Sequence, residues 1–169
     1  MSLPKVSVRA IEPEDLEWLY GIENDMDIWG VGATNVPYSR FVLHEYLAKC
    51  TFDIYTDKQV RFVIENIEGQ SVGIIDLINF NPQHHRAEIG IVIQKPFRGH
   101  GYAQAAILHV LYYADSVLHI HQLYALIDKD NVESLKSFLA VGFKQSAVLQ
   151  DWLYDGKKYQ DALLMQMLL

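Results

Sequence analysis

The sequence predicts an α/β domain built on a mixed, mostly antiparallel sheet, and three observations carry that prediction. Branched apolar runs in "QVRFVIEN", "QSVGIIDLINFN" and "RAEIGIVIQ" read as successive strands joined by short polar links, an antiparallel meander. Ala103, Ala106, Ile107, Val110, Leu111 and Ala114 then recur at helical spacing and make one apolar stripe. A second strand and helix, "HQLYALID" and "NVESLKSFLAVG", follow, so that strand, helix, strand, helix succeed one another.

The remaining elements flank that unit. "KVSVRAI" alternates valine with polar residues as a half-buried strand does, and "PEDLEWLYGIEN" opens with proline and acidic residues, as a helix start prefers. "SRFVLHEYLAKCTFDIY" places apolar residues near helical spacing and reads as a single second helix. Gly142 closes the last helix, and "FKQSAVLQDWLYDGKKYQDALLMQML" is a final hairpin turning at Asp155-Gly156. The expectation is one domain over residues 4–169, with about seven strands and about four helices; Met1, Ser2 and Leu3 are given no structural weight.

Composition narrows the function classes. A chain of 169 residues buries about 70% of its unfolded surface around one core. Half of it is hydrophobic and only five residues are proline, which excludes disordered and fibrous classes. Fourteen basic against 21 acidic residues give a net charge of -7, with no stretch that concentrates lysine and arginine, so nucleic acid is not an expected partner. The acidic balance fits a cationic substrate weakly, and ordinary solubility accounts for it more simply. No apolar run approaches the roughly 18 residues that span a bilayer, and the start lacks a signal-peptide core, so no membrane is expected. The lone Cys50 allows no internal disulfide and reads as a buried structural thiol in a reducing compartment; the cytoplasm is the expected location.

The stretch "QKPFRGHGYAQAA" sets an arginine, two glycines and a histidine between a strand and the strongly helical segment. A helix begins with unpaired backbone N–H groups and a partial positive charge, so a glycine-rich turn before it is a seat for phosphates. Gly99 and Gly101 let the backbone approach an anion without a Cβ in the way, and Arg98 can add a charge-assisted hydrogen bond. The spacing departs from both the dinucleotide fingerprint and the P-loop.

Arg98-Gly99-His100-Gly101-Tyr102-Ala103 resembles the R/Q-x-x-G-x-G/A signature of the GNAT N-acetyltransferases. "VRAIEPEDL", "HHRAEIGIVI" and "DNVESLKSFLAVGFK" resemble the matching segments of that family, in order. "YDGKKYQDALLMQM" resembles the closing hairpin of the branch that holds spermidine N-acetyltransferase and the ribosomal-protein alanine acetyltransferases. The resemblance implies the GNAT fold, with its sheet splayed between the fourth and fifth strands. It also implies acetyl-CoA as co-substrate: the amides of Arg98, Gly99, His100, Gly101, Tyr102 and Ala103 would hold the pyrophosphate, and the backbone of Ile91, Val92 and Ile93 would face the pantetheine arm. One of those three N–H groups would polarise the thioester carbonyl.

Individual residues carry two readings each. Gly90 marks a bulge or close backbone approach, or it makes room for a core side chain. Asn131 falls where relatives use an asparagine on the cofactor arm; as a helix N-cap, either Asp130 or Asn131 would serve. Glu88, on the strand beside the gap, is the candidate base for the ammonium proton, or it pairs with Arg86 or Lys95. Asp76 would bind a substrate ammonium, or lie on the solvent side of its strand. Where many relatives carry the tyrosine that protonates the leaving thiolate, this chain has Phe138, with Tyr124 and Tyr154 as substitutes, or core packing as the simpler account. His84-His85 and His119-x-His121 lack metal-ligand spacing, so no metal is expected; His84 or His85 could shuttle a proton.

The expected activity is acetyl-CoA-dependent transfer to a primary amine by direct attack in a ternary complex. A polyamine, a protein N-terminus and another small amine stay open as acceptors. The segment from Trp29 to Tyr55 should form part of the acceptor wall, with Glu45 as its substrate-binding carboxylate. The family also suggests a homodimer. The rival expectation is an acyl-CoA-binding sensor or interaction module that has lost efficient chemistry, supported by Phe138.

Overall fold

The computed structural model describes residues 2–29, 36–51 and 53–169. Among these residues seven strands form one sheet: β1 (Val6–Ala10), β2 (Val60–Asn66), β3 (Ser71–Asn81), β4 (Arg86–Ile93), β5 (Gln122–Asp128), β6 (Lys144–Tyr154) and β7 (Tyr159–Leu168). Their order is β1-β2-β3-β4-β5-β7-β6, and only the β4–β5 pair is parallel. A parallel pair needs a crossover connection, and the helix with the apolar stripe, α5 (Tyr102–Ser116), supplies it.

Strand periodicity decides what each face carries. Leu123, Ala125 and Ile127 of β5 are buried and alternate with half-buried Gln122, Tyr124, Leu126 and Asp128. Central β3 is buried continuously from Val72 to Ile75, because helices cover both of its faces. On one face α5 and α6 (Val132–Ala140) enclose Ile64, Ile75, Leu77, Ile89, Ile107 and Leu123. On the other, α1 (Leu16–Glu23) and α3 (Arg40–Lys49) cover Val63, Ile74 and Val92. Burying one such branched side chain contributes about 1.5–3 kcal/mol.

Two single-turn helices, α2 (Met26–Trp29) and α4 (Ile54–Asp57), add to the expected four, since one turn is too short to show a period. The single helix expected through Tyr55 is broken: Cys50 takes an extended conformation, and Asp53 caps α4 through the Tyr55 N–H. Cys50 is half-exposed rather than buried, with its thiol 3.7 Å from the Asp57 carboxylate. In α5, Ala105 joins the buried stripe, whereas Ala103 is only half-buried at the first turn. Gly142, at φ 103°, ends α6 and returns Phe143 onto Phe138, whose rings meet edge-on at 4.9 Å. Phe138 is 2% exposed, so core packing is what this residue does.

A charged clamp fixes the first turn to the sheet. Arg9 donates to both carboxylate oxygens of Asp15 at 2.8 Å and to Glu65 at 2.7 Å, while the Glu12 N–H also donates to Asp15. The Arg9 guanidinium holds the Asp15 carboxyl below the ordinary range, against the opposing effect of burial. A depressed folded pKa stabilises the fold fully above the unfolded value, near 4, and that stabilisation is lost as pH falls toward the folded value. Urea titrations of Asp15→Asn and the unsubstituted chain should therefore differ most at neutral pH and converge on acidification; parallel curves down to about pH 2.5 would remove the clamp from the acid limb.

Candidate active site

β4 and β5 pair at three positions only, Arg86–Gln122, Ala87–Leu123 and Glu88–Tyr124. Beyond them Ile89–Ile93 and Ala125–Asp128 have no registered partner across the gap, which is the expected splay. The other edge of β4 is satisfied by β3, with Ile91, Val92 and Ile93 opposite Ile75, Ile74 and Gly73. The Ile93 carbonyl accepts from Arg98 Nε at 2.9 Å, so Arg98 ties the end of β4 to the turn.

Both parallel strands end at the same side of the sheet, where α5 and α6 begin. There the N–H groups of Gly99, His100, Gly101, Tyr102, Ala103 and Gln104 find no acceptor among the described residues; the first helical bond is Ala105 N–H to the Gly101 carbonyl, 3.1 Å. Ser39, Asp53 and Asn131 cap α3, α4 and α6, but among the described residues no side chain caps α5. Gly99 and Gly101 sit at φ 78° and 84°, which L side chains rarely adopt. A Cβ on Gly101 would also lie 3.1 Å from Pro4 and 3.2 Å from Leu3, a packing constraint the sequence did not reveal. The bare run of amides with no Cβ in its path fits a diphosphate, and the open strand edges fit an extended amide-bearing arm. Asn131, rather than Asp130, is the N-cap of α6: Oδ1 accepts the Ser134 N–H at 3.2 Å, which leaves its Nδ2 with no partner among the described residues.

The face under α1 and α3 holds the remaining residues. Gly90 lies opposite Asp76 in unbroken register, so the bulge proposed there is absent. Among the described residues no atom stands within 4 Å of where its Cβ would be, so none of their side chains needs the room either. The irregularity falls instead on β3 between Ile78 and Asn81, where Asn79 takes φ 53° and donates to Glu88 at 2.9 Å. That amide is the partner of Glu88, in place of Arg86 or Lys95; Lys95 approaches Asp27 at 3.5 Å.

Asp76 is held by Arg61, directly across β2–β3, through Nε at 2.9 Å and Nη2 at 2.8 Å, and Arg61 Nη1 reaches Glu23 at the end of α1. Burial alone would lower the Arg61 pKa, but Asp76 and then Glu23 outweigh it and hold it above its ordinary range. Tyr46 of α3 lies 5.9 Å from that guanidinium, and burial pushes its hydroxyl up to about 12. Sequence reasoning missed Arg61, Glu23 and Tyr46; the readable signal was a second charge, Arg61, inside a strand.

Glu45 pairs with Lys49 at 2.9 Å along α3 and borders a shallow groove with Tyr46, Asp57 and Gln59; no contact links it to Glu88 or Asp76 among the described residues. Residues 30–35 of the expected acceptor wall lie outside the described residues. Among the described residues no group of three or more His, Cys, Asp or Glu could hold a metal, and no helix is long and apolar enough to cross a membrane.

A family model described as an acetyltransferase (GNAT) domain matches residues 5–144. The spermidine N(1)-acetyltransferase of Escherichia coli K12 is 28% identical over 165 residues, covering 97% of this chain and 86% of the relative. The crystal structure of spermidine N-acetyltransferase from Vibrio cholerae in complex with CoA and spermine superposes with a TM-score of 0.86 at 27% identity, over 96% of this chain and 95% of that one. A dodecameric structure of the Vibrio cholerae enzyme gives 0.81 at 28% identity, over 96% and 93%. With these matches, the parted strands and the bare amides before α5, the chain belongs to the GNAT acetyltransferase family and is an acetyl-CoA-dependent N-acetyltransferase.

Proposed function

We propose that the acceptor is a polyamine, seated over Gly90 on the face beneath α1 and α3, with Glu88 taking up the proton of the reacting ammonium. The arrangement of carboxylates around bare backbone carries this reading. Glu23 and Asp76 against Arg61 leave one negative charge beside Gly90, and Glu88 adds a second along the same strand face. Two ammonium groups of one extended chain match that spacing of charge. Spermidine acetylation by the Escherichia coli relative and the bound spermine of the Vibrio cholerae structure support it. Asp76 then acts through its cluster rather than as a free carboxylate, while Glu45, paired with Lys49, lies apart in the groove beside Tyr46.

The residues divide the work. A primary ammonium with pKa near 10 is almost wholly protonated at pH 7 and cannot attack, so removal of its proton gates the reaction. Glu88, oriented by Asn79, receives that proton. The amides of Gly99 to Ala103, with Arg98 and the Asn131 amide, hold the coenzyme, whose thioester supplies the activated acetyl group. The backbone of Ile91, Val92 and Ile93 lines the path of the coenzyme arm toward that thioester. Attack forms the C–N bond, the C–S bond breaks, and the coenzyme departs as the thiol. The lone thiol, half-exposed and away from the gap, plays no part in this transfer; the reaction fits the cytoplasm. Assembly of several copies, as in the dodecameric relative, is part of the same proposal.

In a screen of CoA release, spermidine should turn over faster than a monoamine of equal length or an N-terminal peptide; turnover confined to peptides would overturn the polyamine reading. Glu88→Gln should lower kcat by about 10² to 10⁴ with acetyl-CoA affinity unchanged, and full activity would remove Glu88 from proton uptake. Gly101→Val should abolish acetyl-CoA binding by calorimetry while the thermal melt shows a folded chain. Unchanged binding would take the turn out of the coenzyme site.

A further inference from the structure

Expulsion of a thiolate, pKa near 8.5, is eased by a proton delivered to sulfur as the C–S bond breaks. Phe138 has none to give, and it is buried against Phe143 on the α5–α6 side of the sheet. Tyr154 is 61% exposed, ring-paired with Tyr159 beyond the last β5–β7 position, Asp128–Ala162. Tyr46 is engaged beside Arg61.

Tyr124 is placed differently. It pairs with Glu88 at the last position before β4 and β5 part, the closed end of the gap. Its neighbours Leu123 and Ala125 are buried toward α5, so strand alternation turns Tyr124 to the opposite face, where Glu88 also projects. From Ile93, beside the diphosphate turn, back to Glu88 is about 16 Å of strand at about 3.3 Å per residue. An arm running that length brings its reactive end to the Glu88–Tyr124 pair. The Tyr124 ring is half-buried and its hydroxyl has no hydrogen-bond partner among the described residues. Burial first, then the Glu88 charge, raise its pKa against a smaller opposing effect of Arg86, so it keeps its proton at neutral pH.

We propose that Tyr124 is a catalytic residue, the proton donor to the departing coenzyme A sulfur, acting from the face opposite Phe138. The inference rests on the reading of Glu88 as the base. Glu88 takes one proton from the ammonium, and the amine nitrogen bonds to the carbonyl carbon. As the tetrahedral adduct collapses, the C–S electron pair passes to sulfur, which takes the Tyr124 hydroxyl proton and leaves as the thiol. The phenolate recovers a proton from the nascent amide nitrogen. Glu88 releases its own to solvent, for a net loss of one proton per transfer.

Single-turnover rates of Tyr124→Phe, compared on acetyl-CoA and on the acetyl thioester of 4-nitrothiophenol, test this assignment. The substitution keeps the ring, and a thermal melt checks the fold. Because the aryl thiolate leaves without protonation, Tyr124→Phe should lose about 10²-fold on acetyl-CoA, with KM unchanged, yet match the unsubstituted enzyme within about twofold on the aryl donor. Equal loss on both donors, or no loss on acetyl-CoA, overturns the proposal. Glu88→Gln reports on the base separately, since the ammonium must lose its proton whichever thiol departs.

Discussion

The parting of β4 from β5 after Glu88 and Tyr124 is the constraint on which the site depends. Two buried strands that abandon their mutual hydrogen bonds leave backbone groups that must be satisfied by something else, at about 1–3 kcal/mol for each one stranded. Open strand edges of this kind fit an extended ligand. The parallel pair directs both strand ends, and hence both helix starts, to the mouth of the same opening. α5 presents its uncapped amides there, and α6 presents the unused amide of Asn131. A crevice at the carboxyl ends of parallel strands thus has bare amides at its mouth, while its closed end carries the ionisable pair Glu88 and Tyr124.

Charge on the opposite face obeys a different economy. Arg61 is caught between Asp76 and Glu23 in a half-buried cluster. Desolvating such groups is expensive, and clusters of this kind are weak sources of stability. Their value here is positional: Asp76 is pinned beside the open surface over Gly90, and the β2–β3 sheet is joined to the end of α1. Removing Arg61 alone would leave two carboxylates facing each other, which is why the three act as a unit rather than as a free acidic patch.

The strands, the α5 stripe, the glycine turn before α5 and the closing hairpin were legible because each is a local pattern: alternation, helical spacing, or glycines where φ must be positive. Asp155, as expected of the turn, accepts from the N–H groups of Lys157 and Lys158, with Gly156 at φ 93°. What escaped the sequence depends on contacts between elements. The Arg61–Asp76 pair exists only once the β2–β3 register is fixed, and Glu23 reaches it from a separate helix. Asn79 orients Glu88 because the bulge lies on β3 rather than at Gly90, and glycine alone could not say on which strand the irregularity falls. Pro4 and Leu3 lie where a Cβ on Gly101 would meet them, from a segment far away in the chain, so the turn answers to packing as well.

A crystal structure of the chain with bound acetyl-CoA measures the central claim most directly. The account predicts diphosphate oxygens within about 3 Å of the Gly99–Gln104 amides, the arm lying between β4 and β5, and sulfur at the Glu88–Tyr124 end. A coenzyme bound elsewhere, or a gap between β4 and β5 closed by strand pairing, would contradict it.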